Sequence, residues 1–118
     1  MLNSKDCDKT TIDFEDLITE YETEITRGRL EAYVGGYVDV MLTDAKLVSI
    51  DTRGSVNTIF LDHITSISLY KENDQKATVS IFSGGDQPIR YCGNGQTFTF
   101  LIEFYNRLVC GVSTKLTV

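Results

Sequence analysis

A single histidine, three cysteines and a surplus of carboxylates are the side chains in this 118-residue chain that could do acid–base, nucleophilic or metal chemistry. His63 follows Asp62 and precedes Ser66 and Ser68, so a carboxylate, an imidazole and two serine hydroxyls stand within seven residues. An imidazole works as a base only with the reacting proton inside hydrogen-bond reach. Ser66 and Ser68 alternate with Ile67 and Leu69 as ordinary strand residues do, so Asp62-His63 reads as the turn between two strands. Cys7, Cys92 and Cys110 are odd in number and widely spaced, which is no disulfide framework. Without a Cys-x-x-Cys pair, and with one histidine, they cannot build a zinc site. No basic neighbour marks Cys92 as a reactive thiolate. Cys92-Gly93-Asn94-Gly95-Gln96 joins a strand to a helix as a dinucleotide loop would. Phe98, however, stands where a third glycine is needed, and no βαβ unit follows. The loop reads as a turn with a helix cap supplied by Asn94 or Thr97. The expectation is therefore no catalytic residue, no cofactor-binding residue, no metal ligand, and no enzyme.

Net charge is −6, and residues 1–31 carry nine acids against four bases. A chain of this sign without a Lys/Arg cluster is not expected to hold nucleic acid or an anionic lipid surface. No stretch approaches the roughly 20 apolar residues of a membrane-spanning helix. The N-terminus MLNSKDCDKTT lacks the apolar region of a signal peptide, which gives a cytoplasmic expectation. The length suits one domain.

Positioning elements follow from periodicity. Residues 1–12 read as a polar leader. Phe14, Leu17, Ile18, Tyr21 and Ile25 recur at helical spacing and predict an amphipathic helix over 13–27, with Asp13 at its N-cap. Ile12 and Leu17 would form a hydrophobic staple, and Gly28 would end the helix. Glu15, Asp16, Glu20, Glu22 and Glu24 lie mostly off the stripe and face water. The period then changes to two. Val38, Val40 and Leu42 oppose Asp39 and Thr43, and turn signals recur at Gly35-Gly36, Asp44-Ala45, Arg53-Gly54, Glu72–Gln75 and Gly84–Asp86. Strands are expected at about 29–34, 37–43, 46–52, 55–61, 64–70, 76–83 and 88–92. Seven antiparallel strands over 29–92 in so short a chain should curl into two packed sheets or a partly open barrel. A last helix over 96–110 is expected to end at Gly111, with Phe98, Leu101, Ile102, Tyr105, Leu108 and Val109 as its buried stripe. Residues 112–118 would be a tail.

VMLTDAKLVSID from Val40, IFLDHITSISLY from Ile59 and FTFLIEFYNRL from Phe98 together resemble a bacterial pleckstrin-homology (PH)-like domain protein, over Asp13–Gly111. Ala45-Lys46 departs from the Lys-Arg that many members carry after the Thr-Asp. The resemblance implies an α+β fold, a seven-stranded antiparallel split barrel capped by a C-terminal helix and preceded by an amphipathic helix. It also implies frequent homo-oligomers and no common enzymatic activity. Eukaryotic members of the wider superfamily bind phosphoinositides through bases near the first hairpin. The matching loop here, Val34-Gly35-Gly36-Tyr37, has none, so membrane lipid is not the expected partner.

The expected function is a non-catalytic protein-interaction or self-assembly module. Phe100 and Phe104 fall outside the expected buried stripe of the last helix, so their rings need another cover. A second chain would provide it, or the N-terminal helix through Phe14, Leu17 and Tyr21. The alternative function is a small acidic inhibitor or decoy, phage-borne for instance, that binds a basic, nucleic-acid-handling host protein through its carboxylates.

Overall fold

The computed structural model describes residues 13–85 and 87–116 and places in them seven strands and one long helix. The strands are β1 (Glu24–Ala32), β2 (Tyr37–Thr43), β3 (Lys46–Asp51), β4 (Val56–Phe60), β5 (Ser66–Asn73), β6 (Lys76–Phe82) and β7 (Ile89–Asn94), followed by α1 (Phe98–Leu116). The chain is α+β. All strand pairs are antiparallel, in one sheet of order β4-β3-β2-β1-β7-β6-β5.

Turn chemistry sets the strand ends. Gly35 and Gly36 hold φ of 111° and 80°, a region that L side chains avoid. The Thr43 hydroxyl accepts the amides of Ala45 and Lys46, each at 3.0 Å. Asp51 accepts those of Arg53 and Ser55 at 2.9 and 3.0 Å. Asn73 does the same for Gln75 at 2.8 Å.

Consecutive strands β4 and β5 lie at opposite edges of the sheet. Laid flat, seven strands at ~4.8 Å spacing would be roughly 29 Å across. The link 61–65 reaches at most ~20 Å when fully extended, and Leu61–His63 is coiled into a 3-10 turn. The sheet must therefore curl until its edges approach. The result is a half-barrel whose hydrogen-bond ladder stays open.

The concave side holds the core. Leu30, Val38, Val40, Leu42, Leu47 and Ile59 meet Val79, Ile81 and Tyr91 from the other half of the sheet. Leu101, Phe104, Leu108 and Val112 of α1 close over them, with α1 lying across β1, β6, β7 and the 3-10 turn.

The N-terminal helix expected over 13–27 is not present. Only Phe14–Leu17 coil, as a 3-10 turn with the Asp13 amide donating to Asp16 at 3.2 Å, and β1 begins at Glu24. Thr23, Ile25, Thr26 and Gly28 are weak helix formers. The same residues gain a ladder to β2 running from Thr26↔Leu42 to Glu31↔Tyr37. Long-range pairing outweighs a local stripe. Gly28 accordingly sits inside a strand and ends no helix. Ile12 of the expected staple lies outside the described residues, as do Cys7 and the rest of the leader.

The segment 13–23 instead runs as a strap over the convex side. Met41 and Val48 pair across β2 and β3 on that side and are fully buried. The strap is fastened on either side of them. Thr23 and Asp44 exchange two hydrogen bonds, Glu22 reaches Thr43 and Lys46, and Glu15 reaches Arg27 at 3.1 Å.

The last helix also differs from expectation. It begins at Phe98 and runs through Gly111 to Leu116, so residues 112–116 of the expected tail are helical. Keeping a glycine in a helix costs about 1 kcal/mol. Burying Val112, the next residue, returns about 1.5–3 kcal/mol. The buried stripe is Leu101, Phe104, Leu108 and Val112, rotated by roughly 60° from the expected one. Val109 is exposed, while Phe98, Ile102 and Tyr105 are half-buried.

Candidate functional site

The half-barrel has two unlike ends. At one, α1 seals the core. Gly93 on β7 makes this possible, because a Cβ there would lie 2.6 Å from Leu101 Cβ and 2.8 Å from the Thr97 carbonyl oxygen. Its place in the Gly93-x-Gly95 pair is thus a packing role. Thr97 caps the turn, its hydroxyl accepting the Asn94 amide at 2.8 Å.

The other end is open, and the β1–β2 hairpin projects from its rim. The turn is closed by the Gly35 amide on the Ala32 carbonyl at 3.0 Å and the Ala32 amide on the Gly36 carbonyl at 2.9 Å. Around it Val34 is 94% exposed, Tyr33 61% and Tyr37 51%. Side chains at the apex of so tight a turn point past the sheet and cannot reach the core. Just below, Arg29 holds Asp39 at 2.9 Å, and the Arg90 guanidinium lies 5.3 Å from the centre of the Tyr33 ring.

Inside the mouth is a cavity of about 470 Å³. Ala32 and Val34 line it from β1 and its turn, Ser49 from β3, Asn57 from β4, and Pro88 and Tyr91 from β7 and the residue before it. Tyr91 is 4% exposed, its ring edge-on to Phe104 at 6.2 Å, and its hydroxyl has no hydrogen-bond partner among the described residues. Burial pushes that phenol's pKa up. The Ser49 hydroxyl lies close enough to pull the other way, although the two do not reach hydrogen-bonding geometry.

The residues singled out from the sequence do not converge on one surface. Phe104 is fully buried in the core, so the expectation that it needs a cover outside the barrel-facing stripe is corrected. Phe100 is half-buried, its ring on the face of Gly28, where a Cβ would stand 2.6–2.8 Å from the ring atoms. Phe14 and Arg27 stack at 5.2 Å, Leu17 is half-buried within the strap, and Tyr21 is exposed. Asp62 and His63 stand 3.8 Å apart and largely exposed in the 3-10 turn, with the His63 ring edge-on to Phe60. Among the described residues, no three His, Cys, Asp or Glu side chains gather as metal ligands would, and no helix is long and apolar enough to cross a membrane.

Tyr33, Val34 and Tyr37 were not singled out from the sequence. The available signal was two tyrosines and a valine flanking Gly35-Gly36, too near the apex for burial. No family model, curated protein or solved structure matches the chain.

Proposed function

We propose that the chain is a non-catalytic, PH-like interaction module that self-associates through the tip of its first hairpin. The curled seven-stranded sheet with a helix across one end is the form the family resemblance implies. The carrying observation is the concentration of exposed Tyr33, Val34 and Tyr37 within five residues. Tyrosine presents a large amphipathic surface and is enriched among residues that dominate binding energy.

A second copy suits this tip because of charge. Two chains of −6 repel, but residues 33–37 carry no charge, so contact there brings no like charges together. The tip is small beside the ~800 Å² per partner of a stable interface. The association is therefore weak and depends on concentration.

Sedimentation from micromolar to millimolar protein should show the mass rising, and Val34→Asp should hold it at one chain with unchanged far-UV circular dichroism. Wild type that stays monomeric throughout would remove the proposal. So would a dimer that Val34→Asp leaves intact. The acidic-inhibitor reading is favoured by Asp13, Asp16 and Glu20, which stand exposed along the strap. Recovery of one basic partner by wild type, lost on neutralising these three, would support it instead.

A further inference from the structure

We propose that the mouth of the half-barrel binds a small, uncharged, polyhydroxylated molecule of the saccharide class. The inference does not depend on self-association. A cavity of about 470 Å³ falls in the range of small-molecule sites, and barrel mouths are a common place for them.

The chemistry of the lining selects the ligand. Ser49, Ser55, Asn57, Gln87 and Tyr91 offer neutral hydroxyls and amides that donate and accept alike. Asp51, the carboxylate among them, is already taken by the amides of Arg53 and Ser55 and by the Arg53 guanidinium at 3.7 Å. Arg90 at the rim is turned to the Tyr33 ring. Among the described lining residues, Arg90 is the one base and no carboxylate is left free for a cation.

The floor carries the second observation. The Tyr91 hydroxyl is buried beside the Ser49 hydroxyl and makes no hydrogen bond of good geometry among the described residues. Its hydroxyl neighbour Ser49 also lines the cavity. A ligand hydroxyl accepting from Ser49 would leave the Ser49 oxygen to accept from Tyr91, giving a chain Tyr91 to Ser49 to ligand in which Tyr91 donates and Ser49 both accepts and donates. Such chains strengthen each member. Ala32, Pro88 and Ile89 supply the apolar side against which a sugar ring lies.

The full chain, labelled for NMR, is titrated with glucose, maltose and glucose 6-phosphate. Saturable millimolar binding of a neutral sugar is expected, with shifts centred on Ser49, Asn57 and Tyr91. Ser49→Ala should weaken it about tenfold, and Tyr91→Phe about three- to tenfold. Asn57→Ala, at an exposed position, gives a third variant that does not touch the core. Without sugar, Tyr91→Phe should leave the thermal midpoint unchanged or raise it. A fall of several degrees would mean the hydroxyl already has a partner, and would overturn the proposal. So would the absence of saturable shifts up to roughly 0.1 M sugar. Glucose 6-phosphate binding about tenfold tighter than glucose would overturn the uncharged ligand in favour of an anion held by Arg90.

Discussion

The sealed end and the open end of the half-barrel are made from the same strands, yet they use their residues in opposite ways. Under α1, Leu101, Phe104 and Leu108 leave no exposed surface, and Gly93 and Gly28 remove the side chains that would hold the helix away. At the mouth, the same inward-facing rows continue into Ser49, Asn57 and the Tyr91 hydroxyl, and the hairpin apex stands in solvent. Close packing demands agreement among many residues at once. An open rim demands little, so stability and binding can be assigned to different ends of one sheet.

That division is broken most severely at the sealed end. Phe104→Ala should cost about 3–5 kcal/mol in denaturant unfolding. Gly93→Ala should be of similar order, because its Cβ meets the Leu101 Cβ and the Thr97 backbone, neither of which can swing aside. A loss under about 0.5 kcal/mol for either would mean α1 is not seated on β7.

Gly28→Ala is the milder version. Its Cβ strikes the end of the Phe100 ring, so the cost should be about 1–3 kcal/mol. Shortening that ring should recover most of it. Gly28→Ala with Phe100→Leu more stable than Gly28→Ala alone is the expected sign, and a double variant that simply adds the two losses would refute the contact.

The strap gives a third, smaller effect. Burial opposes the charge of Glu22, but the Thr19 amide, Lys46 and the Thr43 hydroxyl outweigh it and hold the carboxyl below the usual range. Its side chain is 6% exposed, against 13% for Lys46 at 3.1 Å. A lowered pKa stabilises above the unfolded value of about 4.5 and is lost as pH falls through the folded one. Protease cleavage within 13–23 should therefore quicken below about pH 4.5. Glu22→Gln should quicken it at pH 7, cost about 2 kcal/mol, and flatten the pH dependence. Equal pH profiles for the two proteins would show that the pair does not fasten the strap. At the rim, Val34→Asp should change stability by less than about 0.5 kcal/mol.

The sheet was legible because its turns are written locally. Gly35-Gly36, Thr43-Asp44 and Asn73–Gln75 each satisfy their own backbone groups, so strand positions from β2 onward fall close to expectation. The first strand was legible only in its second half, where a strand was expected from 29 ahead of Gly35-Gly36; Glu24–Gly28 was read as the end of a helix. Phe14, Leu17, Ile18, Tyr21 and Ile25 do satisfy a helical period. Nothing among them announces that the ladder begun at Gly35-Gly36 will run back as far as Thr26, a choice made by partners up to sixteen positions away in β2. Phe104 failed for a related reason: α1 is apolar over so much of its circumference that only the docked sheet decides which stripe is buried. The mouth was invisible for a third reason. Ser49 and Tyr91 are far apart in the chain, and each reads as an ordinary strand residue until the curl brings them together.

The curl also bears on how the molecule forms. Strands β1–β4 and β5–β7 are two meanders of neighbours, and the ladder that joins them is short, Glu31↔Cys92 and Ala32↔Tyr91, between residues some sixty positions apart. Closing so long a loop is slow compared with forming a hairpin. Each meander can therefore take shape early, while the β1–β7 seam waits for α1 to pin both halves. Pulsed hydrogen exchange during refolding should find the amides of β2 and β3 protected before that of Glu31, which by strand alternation points toward β7, since the Ala32 amide is already held by Gly36 within the hairpin. The seam is thus the last part of the sheet to form, and under strain it would be the first to part.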